Sequence, residues 1–463
     1  MDARLEKDID AFILENRENI LEDIAALVAI PSVRSEGCPG APFGKDCRAA
    51  LDKGAQIAGR MGLETRICGD MLACAAVPGA EKEKYIATIT HLDVVPAGTG
   101  WTGDPFAMRR REGYIIGRGV MDDKGPSVLC LYALKYLKDK KVPLNYSVRA
   151  LLGSAEETGM EDVTDYLKNN PAPAFAFSPD ADFPLVNGEK GICQLRLTAK
   201  DKAENIVSIS GGIVGNAVPD TAQAVVRTGG RSLTGGRGVD VAPAGEGLAQ
   251  LTAHGIAGHA SHPEGTVNAI GVLVDYILEN GLAGAGEEKF LRLMQKLHSA
   301  ADGSGVGAAA MDEKFGPLTI IGGMTGMEDG HVWQSADCRY PTTMTAKKLV
   351  SAVESAGNGC AGVKLLSNSE PFYIDAGSPA ICACIDTYNE VTGENKKPFT
   401  IGGGTYARDF PNAVSFGPEH DDRPFPDFAG GIHSADEGAC VEYFMEALKI
   451  YILTLIKLQD VEL

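Results

Sequence analysis

Three short apolar segments, each ending on polar residues, constrain this chain most. Tyr85–Thr90 is strand-like and delivers His91; Tyr146–Leu152 is strand-like and runs into Glu156 and Glu157; Ala174–Phe177 runs into Asp180. Between the first two, Pro126 to Lys138 carries a helical apolar pattern with proline in its first turn. Strand, helix, strand implies right-handed crossovers and a mostly parallel, twisted sheet flanked by helices. Ligands of such sheets bind beyond the carboxyl ends of the strands, which is where these polar residues are delivered.

Other stretches fill in the architecture. Residues 1–30 read as two amphipathic helices, one with the stripe Leu5, Ile9, Phe12, Ile13 and one with Ile20, Leu21, Ile24, Leu27, Val28. From about residue 191 the texture changes to sheet-like segments, a helix at Asn268–Glu279 and a glycine-rich stretch at 228–247 that reads as a loop or flexible hairpin. Helix and strand texture returns after 376. The expected organisation is an α/β catalytic domain (1–190 and 377–463) interrupted by an inserted α+β lid domain (191–376). A final helix is expected to start at Ser434, where Ser434-Ala-Asp-Glu437 matches a capping box. Arg109-Arg110-Arg111 reads as a solvated hairpin.

Composition removes several function classes. Acidic residues number 62 against 43 basic ones, a formal net charge of −19 over 463 residues. Such a surface repels phosphate backbones and anionic lipids, so neither nucleic acid nor a membrane surface is an expected partner. No apolar run approaches a membrane span, and the acidic N-terminus lacks a secretory pattern. The 11 cysteines are scattered without a Cys-x-x-Cys, as expected of free thiols in a reducing cytoplasm.

The chemistry-bearing residues form five clusters: His91-Leu-Asp93; Asp122 in Gly117-Arg-Gly-Val-Met-Asp-Asp-Lys-Gly; the adjacent pair Glu156-Glu157; Asp180 in Ser-Pro-Asp; and His433 in Gly-Gly-Ile-His-Ser. Taken singly each has an ordinary reading: a structural histidine, a helix cap, a solvated acidic pair, a turn residue. Together, two imidazoles and several carboxylates at successive strand ends make a mixed nitrogen and oxygen donor set. That set suits zinc, manganese or cobalt and not a thiolate centre. One carboxylate shared by two cations about 3.5 Å apart is the economical arrangement.

The blocks HLDVVPAG, W-x-x-x-PF (Trp101, Pro105, Phe106), GRGVMDDKGP, AEETG, FSPDADFPLVNGEKG and GGIHS resemble those of the M20 metallopeptidases, and among them the dipeptidase V group of carnosinase-like enzymes. The resemblance runs from residue 91 to residue 434 in family order. It implies that His91, Asp122 and Asp180 hold one divalent metal ion and Asp122, Glu157 and His433 the other, with zinc first and manganese or cobalt as alternatives. It implies that Asp93 orients His91, that Glu156 is the general base and acid, and that the Asp122–Asp123 bond is cis. In the lid it implies that His259 and Asn216 meet the scissile carbonyl. Arg339 and the loop Gly402, Gly403, Gly404, Thr405 would hold the substrate carboxylate; this loop lacks the phosphate-loop pattern. The implied activity is hydrolysis of dipeptides by a cytoplasmic monomer or homodimer. An N-acyl amino-acid deacylase or desuccinylase using the same centre, and a catalytically silent relative that only binds metal or peptide, stay open here.

Overall fold

The three apolar segments are neighbouring strands of one sheet. In the computed structural model, which describes residues 3–420, 422–423 and 425–463, Glu81–His91 pairs in parallel with Tyr146–Gly153 on one side and with Phe175–Ser178 on the other. Ala413–Ser415 adds a further parallel strand beside Phe175–Ser178. Two antiparallel strands, Leu72–Val77 and Glu64–Cys68, extend the sheet beyond Tyr146–Gly153. The sheet is therefore parallel at its centre, as strand, helix, strand alternation requires. The crossover between the first two parallel strands includes the helix Lys124–Asp139, which is buried over most of its length.

Two helical expectations need correction. The N-terminal stretch is a single helix, Ala3–Val28. Its buried residues Ile9, Phe12, Ile13, Ile20, Leu21, Ile24, Leu27 and Val28 keep one helical stripe across the polar interval at 15–19, so nothing interrupts the helix there. The last helix is Val441–Lys457, not one starting at Ser434. Gly438–Cys440 is instead a strand paired with Tyr114–Ile116, which also forms the expected arginine hairpin with Arg109–Arg111. The buried stripe Phe444, Leu448, Ile452 and Leu455 anchors this last helix; each such side chain contributes about 1.5–3 kcal/mol by leaving water. It approaches the start of Lys124–Asp139 so closely that a Cβ on Gly125 would lie 2.6 Å from the Phe444 ring and 2.0 Å from the Val120 carbonyl oxygen.

The chain divides into two compact units. The first comprises the described residues through Asn187, Tyr373–Phe399 and Thr405–Leu463; the second comprises Gly188–Phe372 and Thr400–Gly404. The second unit is built on a nine-stranded antiparallel sheet. Its core joins Cys193, Leu195 and Leu197 of the strand Gly191–Ala199 to the helices Ala269–Glu279, Ala285–His298 and Ala346–Gly357. Asn268 caps the first of these helices by accepting from the Ile270 and Gly271 amides. Within the glycine-rich stretch, Val239–Pro243 forms the outermost strand of that sheet. Among the described residues no helix is long and apolar enough to cross a membrane.

Candidate metal centre

The first unit brings the five candidate ligands together at the strand ends. His91 is the last residue of its strand and fully buried. Its Nδ1 lies 3.0 Å from the backbone carbonyl oxygen of Asp93. A carbonyl only accepts, so Nδ1 carries the proton and the lone pair is left on Nε2. Nε2 is 2.9 Å from Asp122 Oδ1 and 3.8 Å from Asp180 Oδ2. On the other side His433 Nε2 is 2.9 Å from Asp122 Oδ2 and 3.0 Å from Glu157 Oε1. Each Asp122 oxygen thus faces a different imidazole. The potential ligand atoms form two sets, His91–Asp122–Asp180 and Asp122–Glu157–His433, with the atoms of each within 4.8 Å of one another.

Asp93, expected to orient His91, meets it through its backbone carbonyl. Its carboxylate sits farther from His91 Nδ1, at 3.5 Å, and accepts the Glu156 and Glu157 amides at 3.3 and 3.2 Å. Asp93 therefore fixes both His91 and the turn that bears the two glutamates. The Asp122–Asp123 peptide bond is cis. Asp123, which the sequence reading passed over, accepts the His91 amide at 3.1 Å through Oδ2.

The electrostatics are those of a centre short of positive charge. Burial raises the Glu156 carboxyl well above its usual value, and Asp180 adds to the rise. Burial and then Asp122 push Glu157 up to about 7, with His433 pulling the other way. Burial opposes charge on His433, but Asp122 and Glu157 outweigh it and raise the imidazole to about 11. Asp122 moves downward, because His433 and His91 together overcome the cost of its burial. Divalent cations between these imidazoles and carboxylates would supply the missing positive charge. The donor chemistry fits such ions, and so does His91 Nε2, which is buried, makes no hydrogen bond and points between two carboxylates.

The pattern of peptidase family M20/M25/M40 matches residues 87–457. The chain belongs to this family. A Bacillus subtilis (strain 168) protein named "Putative dipeptidase YtjP" is 30% identical over 460 residues, covering 95% of this chain and 97% of that one. The Beta-Ala-Xaa dipeptidase of Lactobacillus delbrueckii subsp. lactis is 30% identical over 455 residues, covering 94% and 95%. In fold the M20 chain resembles human carnosine dipeptidase 1, with a TM-score of 0.61, 15% identity and 99% of each chain covered.

The remaining candidates lie mostly in the second unit. Asn216 and His259 are neighbours there, because Ala217–Val218 pairs antiparallel with Gly258–His259 and Asn216 O accepts the Ala260 amide at 2.9 Å. His259 Nδ1 is 2.6 Å from Ser261 Oγ. Arg339 is buried, and its fork is already engaged: Nε and Nη2 donate to Asp337 at 2.6 and 3.2 Å, and Nη1 donates to Gly402 O at 3.0 Å. Gly402, Gly403 and Gly404 belong to that same unit, whereas Thr405 belongs to the first. There Thr405 Oγ1 caps the short helical turn Tyr406–Asp409 and lies 2.8 Å from Ser415 Oγ.

Sequence reasoning also missed supporting residues in the first unit. Tyr406 Oη donates to Asp162 Oδ2 at 2.5 Å, and the same oxygen accepts the Ser154 and Ala155 amides at 2.6 and 3.1 Å. This ties down the strand end just before Glu156. Arg118 lies inside the GRG motif, and it pairs with Glu437 as described below. The motif itself was the only sequence signal pointing to it.

Proposed function

We propose that this M20 peptidase is a dinuclear metal-dependent dipeptidase with Glu156 as its general base. The observation that carries the proposal is Asp122, whose two carboxylate oxygens each stand 2.9 Å from a different histidine Nε2, with Asp180 and Glu157 completing the sets. Two divalent cations, zinc first and manganese or cobalt as alternatives, would polarise the scissile carbonyl and lower the pKa of water towards neutrality. His91, Asp122 and Asp180 would hold one cation, and Asp122, Glu157 and His433 the other.

Glu156 takes the proton from the attacking water and later returns it to the leaving amine. Three features support this role. Its carboxylate makes no hydrogen bond among the described residues, and its backbone is held by Asp93. Burial and Asp180 raise its proton affinity, which favours its taking up the proton. The second unit acts as a lid. Its His259 and Asn216 donate to the carbonyl oxygen; such preorganised donors are worth about 2.7–4 kcal/mol each. Arg339, the Gly402–Gly404 loop and Thr405 bind the substrate's carboxylate; Asp337 aligns the guanidinium for that task. The dipeptidase names of full-length relatives support dipeptides as substrates. The negative net charge supports a small peptide, not a nucleic acid or a membrane, as the partner of a cytoplasmic monomer or homodimer.

The test is a substrate panel on metal-stripped protein with zinc, manganese and cobalt added back. Unblocked dipeptides should be cleaved only after metal is restored. Faster cleavage of N-acetyl or N-succinyl amino acids would replace this reading with a deacylase or desuccinylase.

A further inference from the structure

Glu437, the last residue of the apparent capping box, does not cap a helix. It is fully buried, and its carboxylate grips the turn that carries Asp122. Oε2 accepts from Arg118 Nη1 at 2.6 Å. The Gly119 amide reaches both oxygens at 3.1 Å, and the Met121 and Asp122 amides reach Oε1 at 3.0 and 3.2 Å. The backbone carbonyl of Glu437 accepts the Gly117 amide at 2.9 Å. One residue thus holds both ends of the Gly117–Asp122 turn.

The residues on either side of Glu437 close the loop that carries His433. Gly430 N donates to Asp436 O at 2.8 Å, and Gly438 N donates to Gly430 O at 3.0 Å. His433 and Asp436 both have left-handed backbone, at φ 60° and 54°, a conformation that a non-glycine residue keeps only where its surroundings impose it. Asp436 fastens the outer side of the loop to Thr102 N and to Arg109 Nη2, at 3.2 and 2.5 Å. His433 needs this support, because its side chain is 51% exposed. His91, by contrast, sits in the sheet, and Asp180 lies two residues beyond a sheet strand.

We propose that Glu437 is a positioning residue that locks the turn of Asp122 to the loop of His433 and thereby sets the affinity of the second cation position, formed by Asp122, Glu157 and His433. The proposal rests on the dinuclear reading above. The first position shares Asp122 but takes its other two ligands, His91 and Asp180, from sheet strands that do not depend on Glu437. The second depends on the spacing between two loops that meet through this one carboxylate. Hydrogen-bonding partners that orient ligands in this way typically carry 10–100-fold in metal affinity.

Calorimetric titration of the metal-stripped chain with cobalt(II), followed in parallel by visible absorption, tests this without relying on turnover. Wild type should show two binding events; a single event would overturn the dinuclear reading itself. Glu437→Gln should weaken one event by about 10–100-fold and the other by less. His433→Ala should abolish the event that Glu437→Gln weakens more, and in this background Glu437→Gln should change the remaining event by less than about 10-fold. Equal weakening of both events, or of neither, would overturn the proposal. If Glu437→Gln loses its cooperative thermal transition, Glu437→Asp replaces it. That variant keeps a charge opposite Arg118 but draws the carboxylate back by one methylene. It should show the same selective weakening, and unaltered affinities in it would overturn the proposal.

Discussion

Replacing Glu156 with glutamine separates the chemistry of the centre from its architecture. The turn does not depend on the Glu156 side chain, since its amides are held by Asp93 and the preceding strand end by Asp162. The substitution removes a carboxylate that burial and Asp180 already disfavour as an anion. Glutamine has nearly the same shape and no charge, so folding stability should hold or rise. The proton transfer is lost, which lowers kcat by about 10²–10⁴-fold, equivalent to about 3–5 kcal/mol of barrier. The assay measures kcat on a dipeptide, bound metal per chain and thermal midpoint for Glu156→Gln beside wild type. The expected pattern is full metal content, an unchanged or higher midpoint and a kcat lower by at least two decades. Near-normal kcat would refute the base assignment, and loss of a cation would make Glu156 a ligand instead.

Other expectations follow from the same structure. In the second unit, burial lowers the His298 imidazole from 6.5 to about 4, so between these values the unfolded chain binds the extra proton and folding weakens as pH falls from 6.5 towards 4. The loss amounts to about 3 kcal/mol for this group; urea unfolding at pH 7 and pH 4 should show that difference between wild type and His298→Gln, and parallel pH dependence would contradict it. Gly125→Ala places a Cβ 2.0 Å from the Val120 carbonyl oxygen; it should destabilise the first unit by about 1–3 kcal/mol, read as a lower thermal midpoint, and an unchanged midpoint would show that the helix contact is loose. Cations that bind only the folded chain should stabilise it by about 4 kcal/mol at a thousand times their dissociation constant. Chelation should therefore lower the midpoint and metal restore it, whereas a midpoint indifferent to metal would count against a site at these residues.

The sheet was legible because apolar strands that end on polar residues leave a local mark. His91 follows directly on such a run and Glu156, Glu157 and Asp180 come within a few residues of theirs, and the structure aligns those runs in parallel. Asp122 and His433 carried no such mark and needed their glycine-rich motifs. What was misread depends on contacts far apart along the chain. Ser434-Ala-Asp-Glu437 satisfies the local rule for a cap, but Glu437 bonds Arg118, 319 residues away, and no periodicity reports such a pair. Splitting the N-terminal helix gave too much weight to the polar residues at 15–19. Asp93 was expected to orient His91, and only coordinates could show that its carbonyl meets His91 while its carboxylate holds the glutamate turn.

Anomalous diffraction at the zinc edge from metal-loaded crystals tests the shared carboxylate most directly. The expected result is two peaks about 3.5 Å apart on either side of the Asp122 carboxylate, one against His91 and Asp180 and the other against Glu157 and His433. A single peak, or peaks away from Asp122, would contradict the account.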